Sequence, residues 1–373
     1  MYTEDSKFMK KIVIDARIIN SSTGRYIERL LTYLQKIDTK NQYIVLMPKK
    51  DIDFWKPIND NFSVQICNYK NYSFGEQFGF ALQLYKLRAD LVHFCMPQQP
   101  LLYLKPHVTN VHDLTLLKTY NSDKNWLIYH IKQIIGRGVF WIVGRTSKKI
   151  IAISKNTQKD YLDFSGIAKD KTVVTYLAAD TSNETPKKTD LPYEKFIMYV
   201  GQQSDYKNIK RLVQAHQLLL KARPELGLIL VGGMNDMAKL NKAWVEKNNY
   251  KNVYFAGFVP DDQLAWIYQH TEAYVFPSLM EGFGLPGLEA MTQGAPVVSS
   301  NTTCLPEIYG DAAHYFDPTD IDDMASKISD ILDDEALRAK LIRNGYSQVK
   351  KYSWAKTAKQ TLAVYQQALR QSK

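Results

Sequence analysis

Short apolar runs alternate with longer helical stretches along the whole chain, and this alternation predicts strands separated by helices. The runs are almost continuously apolar and rich in β-branched residues, which is typical of parallel strands covered on both faces. The predicted strands are residues 11–15, 43–47, 91–95, 108–112, 150–154 and 173–176 in the first half, and residues 196–200, 228–231, 253–256, 273–276 and 296–299 in the second. The pattern therefore predicts an α/β protein with two mostly parallel sheets.

The boundary between the two halves is predicted at residues 181–193, which begin with a polar stretch that lacks hydrophobic periodicity. A chain of 373 residues is too long for one ordinary core. We therefore expect Rossmann-like domains over residues 1–180 and 194–373, facing a central cleft, with ligands at the carboxyl ends of the strands. The last helical stretch, residues 354–370, is compatible with packing on the second domain or with crossing back to the first.

Composition and cysteine usage indicate a globular protein of a reducing compartment. The chain is 45% hydrophobic and 23% charged, and its three cysteines are far apart, which disfavours a disulfide framework or a zinc site. The polar N-terminus lacks the apolar region of a signal peptide. The most apolar long stretch, residues 126–143, contains Lys132 and Arg137, so no membrane-spanning helix is predicted. The expected location is the cytoplasm.

Basic residues are concentrated in the first half of the chain. The net charge is +10, and residues 1–180 carry 26 Lys and Arg against 16 Asp and Glu, whereas residues 181–373 carry 22 of each. Residues 124–159 hold eight basic residues and no acidic one. Two explanations of this basic surplus are open. One is a solvated surface whose charge is biased by chance, and the other is an anionic partner, either the inner face of the plasma membrane or a phosphate-bearing substrate. Nucleic acid is disfavoured because no nucleic-acid-binding motif accompanies the charge.

The most informative segment is residues 277–291, Pro-Ser-Leu-Met-Glu-Gly-Phe-Gly-Leu-Pro-Gly-Leu-Glu-Ala-Met. It passes through three glycines and opens a helix with Pro286 in the first turn, where a missing N–H costs nothing. Glycines let the backbone approach a ligand closely, and a helix N-terminus presents free N–H groups to a phosphate. Glu281 on the loop and Glu289 in the first helical turn flank the glycines. The pattern predicts a site for a sugar nucleotide.

Residues 282–287 also satisfy the G-x-G-x-x-G pattern of dinucleotide-binding folds. That fingerprint normally lies in the first strand–helix turn of its domain, whereas this one follows the fourth predicted strand of the second domain. The first strand instead leads to residues 20–26, which contain a single glycine. A nicotinamide-dependent dehydrogenase is therefore a less favoured alternative.

Residues 281–291 resemble the paired-glutamate motif of retaining glycosyltransferase family 4, which has the GT-B fold. The likeness continues in order along nearly the whole chain, at residues 13–17 with 24–26, 112–114, 151–154, 199–201 with 207–208, and 257–260. The resemblance implies a metal-independent, retaining hexosyltransferase that needs no cofactor. Its donor would be a nucleotide diphosphate sugar, with GDP-mannose preferred over UDP-hexoses and dTDP-rhamnose. Its acceptor would be a cell-surface glycan or a lipid-linked acceptor.

The family's site residues carry over where this sequence matches the motifs. Glu281 would contact the donor sugar at the reacting centre, Lys207 would neutralise the departing diphosphate, and His112 would touch the donor sugar from the first domain. Glu289 would bind the ribose. The other implied substrate-binding residues lie at the phosphates, at the base or on the loops that approach them: Gly24, Gly201, Gln202, Phe258, Val259, Gly282, Phe283, Gly284, Leu285 and Gly287.

Departures from the family pattern keep alternatives open. Gln202 stands where an arginine often follows the glycine of the phosphate-binding loop, Asp205-Tyr206 stands where Pro-Arg is common, and Ser22 replaces a glycine. A lost cationic ligand weakens donor binding or marks a different donor, so a catalytically weak sugar-nucleotide-binding module remains an alternative. A GT-B relative that acts as a phosphorylase or an epimerase is another.

Several of these residues also have purely structural explanations. Glu289 is a favourable charge near a helix N-terminus, Lys207 by itself is an ordinary solvated lysine, and His112 at a strand end is compatible with a structural histidine. Two D-x-D triplets, residues 51–53 and 320–322, are of the kind that binds a divalent ion in other glycosyltransferases. Neither falls on the glycine turn, and no metal is predicted.

Overall fold

In the part of the chain that the structure describes, all strand pairs run parallel, in two separate sheets. The structure is a computed structural model that describes residues 9–21, 23–119, 126–180 and 185–371, without the side chains of residues 126–129 and 131. The chain divides into two units, Met1–Leu117 with Lys132–Leu177 and Ser353–Lys373, and Lys118–Ile131 with Ala178–Tyr352. The predicted α/β class with two parallel sheets is confirmed.

The first sheet belongs to the first unit. Its strands are β1 (Lys11–Asp15), β2 (Gln42–Met47), β3 (Phe62–Ile66), β4 (Leu91–Phe94), β5 (His107–Val111), β6 (Lys149–Ala152) and β7 (Thr172–Val174). They are hydrogen-bonded in the order β3-β2-β1-β4-β5-β6-β7. The connecting helices are α1 (Gly24–Ile37), α2 (Ala81–Leu87), α3 (Thr115–Lys118), α4 (Trp126–Thr146) and α5 (Lys155–Ser165).

The second sheet belongs to the second unit. Its strands are β8 (Phe196–Val200), β9 (Gly227–Val231), β10 (Val253–Gly257), β11 (Ala273–Phe276), β12 (Val297–Ser300) and β13 (Ala313–Phe316). They are hydrogen-bonded in the order β10-β9-β8-β11-β12-β13. The helices are α6 (Ile209–Leu219), α7 (Asp236–Lys247), α8 (Asp261–His270), α9 (Leu285–Thr292), α10 (Leu305–Tyr309), α11 (Ile321–Asp333) and α12 (Glu335–Val349).

Each sheet reverses its strand order at one point. The chain winds outward from β1 through β2 and β3, and then returns to place β4 on the other side of β1. The second sheet repeats this, with β8 between β9 and β11. Ligands of doubly wound sheets bind at the carboxyl ends of the strands beside such a switch point. The loops after β1 and β4, and those after β8 and β11, are thus where this fold positions a site.

Two edge strands, β3 and β13, are absent from the sequence-based prediction. β3 reads Phe-Ser-Val-Gln-Ile, and of these five residues only Phe62 is buried. β13 is a four-residue strand, Ala-His-Tyr-Phe. An edge strand has one unpaired side and tolerates polar residues, so it lacks the continuous apolar run by which central strands are recognised.

The last helix, α13 (Trp354–Arg370), packs in the first unit although it follows the second unit in sequence. It lies against α1 and against β4, β5 and β6. The Tyr365 hydroxyl is 2.7 Å from His93 Nδ1 on β4, and the Thr357 hydroxyl donates to the Tyr176 carbonyl at 2.6 Å. Of the two placements that the sequence left open, the structure shows the return to the first domain.

α4 covers the most apolar long stretch of the sequence. Among the helices that the structure describes, none combines the length and the apolar character needed to cross a membrane. From residue 132 onward, exposed basic and apolar side chains share its surface, namely Lys132, Ile134, Ile135, Arg137 and Trp141.

Replacement of Tyr365 by Phe is expected to destabilise the first unit by about 1–3 kcal/mol, because buried His93 loses its hydroxyl partner. Burial lowers the pKa of His93 to about 4, so its ring is neutral at pH 7 and depends on neutral hydrogen bonds. Urea unfolding followed by near-UV circular dichroism measures the loss. Tyr254→Phe, at an exposed position of the second unit, is the control, and equal stability of the two variants would contradict the expectation.

Candidate functional site

A lysine and a glutamate meet at the switch point of the second sheet. Lys207 ends a short 3-10 turn, Asp205–Lys207, in the loop after β8, and Glu281 lies in the loop after β11. Lys207 Nζ is 2.5 Å from Glu281 Oε1, and the two side chains are 14% and 12% exposed. The structure thus brings together two of the residues for which the sequence analysis expects a catalytic role.

The surroundings of Lys207 keep it charged. Burial is the largest single influence and lowers the pKa of its ammonium, but the Glu281 carboxylate together with Tyr199 and Tyr206 raises the pKa by more, and the net pKa lies above the ordinary range for lysine. The rings of Tyr206 and Phe276 have their centroids 5.1 and 5.6 Å from Nζ, within the range of a cation–π attraction. A permanent cation in a largely enclosed place suits an anionic ligand.

Asn208 holds the two loops together. Its backbone is in the left-handed region at φ 63°, which asparagine tolerates better than most residues. Its Nδ2 donates to the carbonyls of Pro277 at 3.0 Å and Pro318 at 2.7 Å. The Leu279 N–H donates to the Tyr206 carbonyl at 2.8 Å. The loops after β8 and β11 are therefore cross-linked by hydrogen bonds on either side of the ion pair.

The glycine turn is shaped by one tyrosine. Gly284 lies at φ 88°, and its carbonyl accepts a 2.6 Å hydrogen bond from the Tyr309 hydroxyl. A Cβ on Gly287 would lie 2.3 Å from the same hydroxyl, so only glycine fits there. The Gly287 N–H donates to the Gly284 carbonyl at 3.2 Å, whereas the Leu285 N–H begins α9, where the helix offers no acceptor. The resemblance implies that the backbone N–H groups of Leu285 and Gly287 help hold the distal phosphate, and that of Gly287 already has a partner within the turn.

Three residues of the glycine segment for which the sequence analysis expects substrate contacts differ in burial: Glu289 is half-buried, whereas Phe283 and Gly282 are buried. Glu289 is the fifth residue of α9 and half-buried, so it lies in the second helical turn and not in the first as expected. Phe283 is buried, and its ring meets Tyr352 edge-on with the centroids 5.7 Å apart. Its side chain therefore packs beneath the loop. Gly282 is buried beside it.

A second glycine contact closes the loop after β8. Gly201, at φ 144°, donates its N–H to the Val231 carbonyl at 2.9 Å. Gly232 follows β9, and a Cβ on it would lie 2.2 Å from the Gly201 carbonyl oxygen. The backbones of the loops after β8 and β9 are therefore in direct contact. The carbonyl of Gln202 accepts from the Tyr199 hydroxyl at 2.6 Å, while the Gln202 side chain is exposed.

Gly232 and Tyr309 are residues that the sequence reasoning missed. A Gly-Gly pair directly after the predicted strand 228–231 was an available signal for the first. No sequence signal indicated Tyr309, because its contact with Gly284 joins residues that are 25 positions apart. Phe258 and Val259 follow β10, and Phe258 is 82% exposed.

His112 follows β5 in the first unit. Its Nε2 lies 2.9 Å from the Cys95 carbonyl, and its ring meets Tyr26 edge-on at 5.2 Å. A carbonyl only accepts, so Nε2 carries the proton, and burial lowers the pKa of His112 below the usual histidine value. The neutral ring keeps its Nδ1 lone pair as a hydrogen-bond acceptor.

Gly24 is the first residue of α1, in the same unit. A Cβ there would lie 1.9 Å from the Ile19 carbonyl oxygen, so the loop after β1 folds tightly onto the helix start. Ser22, the neighbouring departure from the family pattern, lies outside the described residues.

The D-x-D triplets have structural partners. Asp51 accepts a hydrogen bond from Asn20 at 3.0 Å, and Asp320 caps α11 by accepting from the N–H groups of Asp322 and Asp323. Within the described residues, no cluster of three or more His, Cys, Asp or Glu side chains is arranged to hold a metal ion.

Comparison with known proteins places the sheets and the site in context. Residues 181–348 match the family model described as glycosyl transferases group 1, and residues 23–183 match glycosyltransferase family 4. The chain is 31% identical over 278 residues to O-antigen chain mannosyltransferase B of Escherichia coli, covering 70% of each protein. It is 32% identical over 225 residues to the serotype-specific mannosyltransferase WbdA of Escherichia coli, of which it spans 27%.

Solved structures share the fold. Sucrose-phosphate synthase from Thermosynechococcus elongatus superposes with a TM-score of 0.76 at 19% identity, over 97% of this chain and 100% of that one. Anabaena Alr3699/HepE in complex with UDP and glucose superposes with a TM-score of 0.71 at 18% identity, over 96% of this chain and 100% of that one. The predicted GT-B fold is confirmed.

Replacement of Gly287 by Ala is expected to lower the free energy of unfolding by about 1–3 kcal/mol, because the new methyl group overlaps Tyr309. Differential scanning fluorimetry measures the change. Gly233→Ala is the matched control, since a Cβ on Gly233 meets nothing within 4 Å. Equal melting temperatures of the two variants would show that Tyr309 does not dictate the glycine.

Proposed function

Because this chain belongs to glycosyltransferase family 4, we propose that it moves mannose from GDP-mannose to a cell-surface glycan or lipid-linked acceptor with retention of configuration. The observation that carries the proposal is the Lys207–Glu281 pair at the switch point of the second sheet, 2.5 Å apart. The choice of mannose rests on the relatives, among them two Escherichia coli mannosyltransferases and an MMP α-(1→4)-mannosyltransferase.

The chemistry follows from the charges of the pair. Lys207 balances the diphosphate charge that grows as the bond between the anomeric carbon and the phosphate oxygen breaks. Glu281 accepts hydrogen bonds from hydroxyls of the donor sugar. The new bond joins the anomeric carbon to the acceptor oxygen, and the departing phosphate takes the acceptor's proton. Without a donor, Lys207 and Glu281 neutralise each other, so an arriving diphosphate competes with Glu281 for the ammonium.

A metal ion and a cofactor have no part in this proposal. Lys207 and the Leu285 N–H at the start of α9 supply positive charge where a divalent ion would otherwise be needed. Glu289 on the same helix is proposed to bind the ribose hydroxyls, and the exposed Phe258 ring is proposed to stack on the base.

The exposed amide of Gln202 favours one other function, a sugar-nucleotide-binding module of low activity. An amide in place of a guanidinium removes a full positive charge and a bidentate phosphate ligand. Nucleotide binding without transfer to any acceptor in a glycan pool would support that alternative.

A ligand that binds only the folded state raises the melting temperature. We therefore expect GDP, the nucleotide of the proposed donor, to raise the melting temperature more than UDP, dTDP or NAD does, with EDTA as well as with magnesium. Lys207→Met is expected to weaken GDP binding by about 10- to 100-fold, the effect of one charge-assisted hydrogen bond.

Two further variants serve as controls for the effect of Lys207→Met on GDP binding. The double variant Lys207→Met/Glu281→Gln avoids leaving a buried carboxylate unpaired, and Lys242→Met makes the same change at an exposed site on α7. No shift with any nucleoside diphosphate would refute the proposed donor class.

We also propose a cytoplasmic enzyme that associates with the inner face of the plasma membrane through α4. The exposed Lys132 and Arg137 lie near the exposed Ile134, Ile135 and Trp141 on the same helix. Basic side chains are attracted to anionic lipid, and apolar side chains beside them add contact with the interface.

Lys132→Glu/Arg137→Glu is expected to reduce binding to phosphatidylglycerol vesicles by about tenfold or more, at roughly 1 kcal/mol for each charge lost. Vesicle flotation at low and high salt measures it. Lys242→Glu/Lys247→Glu on α7 is the control of equal charge change. Wild-type binding that is indifferent to anionic lipid and to salt would overturn the membrane proposal.

A further inference from the structure

The loop between β12 and α10, residues 301–304, lies next to the loop that carries Glu281. β12 pairs in parallel with β11, with Ser299 opposite Phe276, so the two strands end at the same edge of the sheet. Their loops therefore emerge side by side. Lys207 binds the Glu281 carboxylate, whereas the loop after β12 binds the Glu281 backbone.

Both backbone polar groups of Glu281 have side-chain partners on this loop. The Glu281 N–H donates to Thr303 Oγ1 at 3.2 Å, and the Cys304 thiol donates to the Glu281 carbonyl at 3.3 Å. Burial raises the pKa of the Cys304 thiol well above its usual value, so the thiol keeps the proton that it donates. An S–H group is a weak donor, and the Thr303 hydroxyl therefore makes the stronger of the two contacts.

Glu281 depends on these contacts because no regular secondary structure fixes it. It lies between β11 and α9, and a glycine follows it. Glycine restricts the direction of the chain less than any other residue, so the loop needs external contacts to hold one conformation. Those from Thr303 and Cys304 replace the hydrogen bonds that a helix or a strand would supply. α10 begins directly after Cys304 and also supports this loop, through the Tyr309 hydroxyl on the Gly284 carbonyl.

Thr303 adopts an unusual backbone conformation. Its φ is 54°, in the left-handed region, where a β-branched residue is a genuine outlier. Glycine adopts this conformation without strain, but it offers no hydroxyl. Strained residues persist where the surrounding structure holds them, and they are concentrated at functional sites. The need for a hydroxyl beside the Glu281 N–H explains why a threonine occupies this position.

Thr302 attaches the same two loops at a second point. Its hydroxyl donates to the Ser278 carbonyl at 3.2 Å and lies 2.7 Å from Ser300 Oγ, which is on β12. The loop after β12 thus contacts the loop after β11 both at Ser278 and at Glu281. Two attachment points prevent rotation about either one, so the Glu281 carboxylate keeps one direction.

We infer that Thr303 is a positioning residue for the transfer reaction, because its hydroxyl fixes the Glu281 backbone and thereby the place of the Glu281 carboxylate. This role rests on the proposed transferase function and deepens it, since Thr303 acts through Glu281 and not on a substrate. A displacement of about 1 Å in a reacting group can slow a reaction by about 100-fold, so the placement of this carboxylate affects the rate.

Three variants of the full chain separate the hydroxyl from the backbone strain. Thr303→Val keeps the shape and the strain but loses the hydroxyl, Thr303→Gly loses both, and Thr303→Ser keeps the hydroxyl. The donor is GDP-mannose, and the acceptor is the methyl glycoside of an α-linked mannose disaccharide. Thr303→Gly is expected to melt at a higher temperature than Thr303→Val, because glycine adopts a φ of 54° without strain.

Thr303→Val and Thr303→Gly are both expected to lower kcat by about tenfold, the effect of one hydrogen bond, and Thr303→Ser by less than about twofold. The KM for GDP-mannose is expected to change by less than about threefold, since the contacts with the nucleotide remain. Thr185→Val makes the same change at an exposed position of the second unit and is the matched control.

Amide hydrogen exchange of the Glu281 N–H gives a second measurement, which needs no activity. Fragmentation mass spectrometry of the peptide over residues 277–291 resolves it. The Glu281 N–H is expected to exchange about tenfold faster in Thr303→Val and Thr303→Gly than in the wild type and Thr303→Ser. The Leu279 N–H, which donates to the Tyr206 carbonyl, is the internal reference and is expected to stay unchanged.

The outcomes separate this role from the proposed function. If mannose is transferred, but Thr303→Val and Thr303→Gly match Thr185→Val in kcat, the positioning role is refuted and the function stands. A kcat that follows the melting temperature, and not the presence of the hydroxyl, also refutes the role. If no sugar nucleotide is bound or used, the proposed function fails. Exchange at Glu281 then decides whether Thr303 positions this residue: dependence on the hydroxyl supports it, and equal exchange in all variants refutes it. A variant that does not fold is identified by its melting curve, and the other two decide.

Discussion

The ion pair between Lys207 and Glu281 is the constraint on which the second unit depends. Two charges that are largely removed from water are stable only when their geometry compensates for lost hydration. The partners are 74 residues apart in sequence, so two loops must be held rigidly for them to meet. Asn208 provides that rigidity, since its amide joins the loop after β8 to Pro277 and Pro318. Backbone strain at one asparagine thus supports the charges at the centre of the site.

The two sheets share one topology, but the side chains at their switch points differ in chemistry. At the switch point of the second sheet, a permanent cation and the Leu285 N–H at the start of α9 offer positive charge and a hydrogen-bond donor. At the switch point of the first, Asp15, Arg17 and Glu76 form a buried charged triad, and the Oε1 atom of Gln98 has no hydrogen-bond donor among the described residues. The fold supplies equivalent positions, and the side chains determine the charge at each.

The structure shows where the basic and acidic residues of the first half of the chain lie. The basic surplus that the sequence shows over residues 124–159 includes exposed side chains on α4, whereas Asp15, Arg17 and Glu76 form a buried cluster of two carboxylates and one guanidinium. The charge counts along the chain left both a chance bias of a solvated surface and an anionic partner open. Only the structure shows that carboxylates outnumber basic groups in this buried cluster.

The sequence by itself determined the class of fold and located the glycine turn into α9, because both depend on local patterns: apolar runs mark central strands, and glycines with flanking glutamates mark the turn. It did not reveal β3 and β13, since edge strands need no continuous apolar run. It left α13 unassigned, and it missed Tyr309 and the Asp15–Arg17–Glu76 triad. Those features depend on contacts between residues far apart in sequence, and only the packing of the sheets and helices brings such residues together.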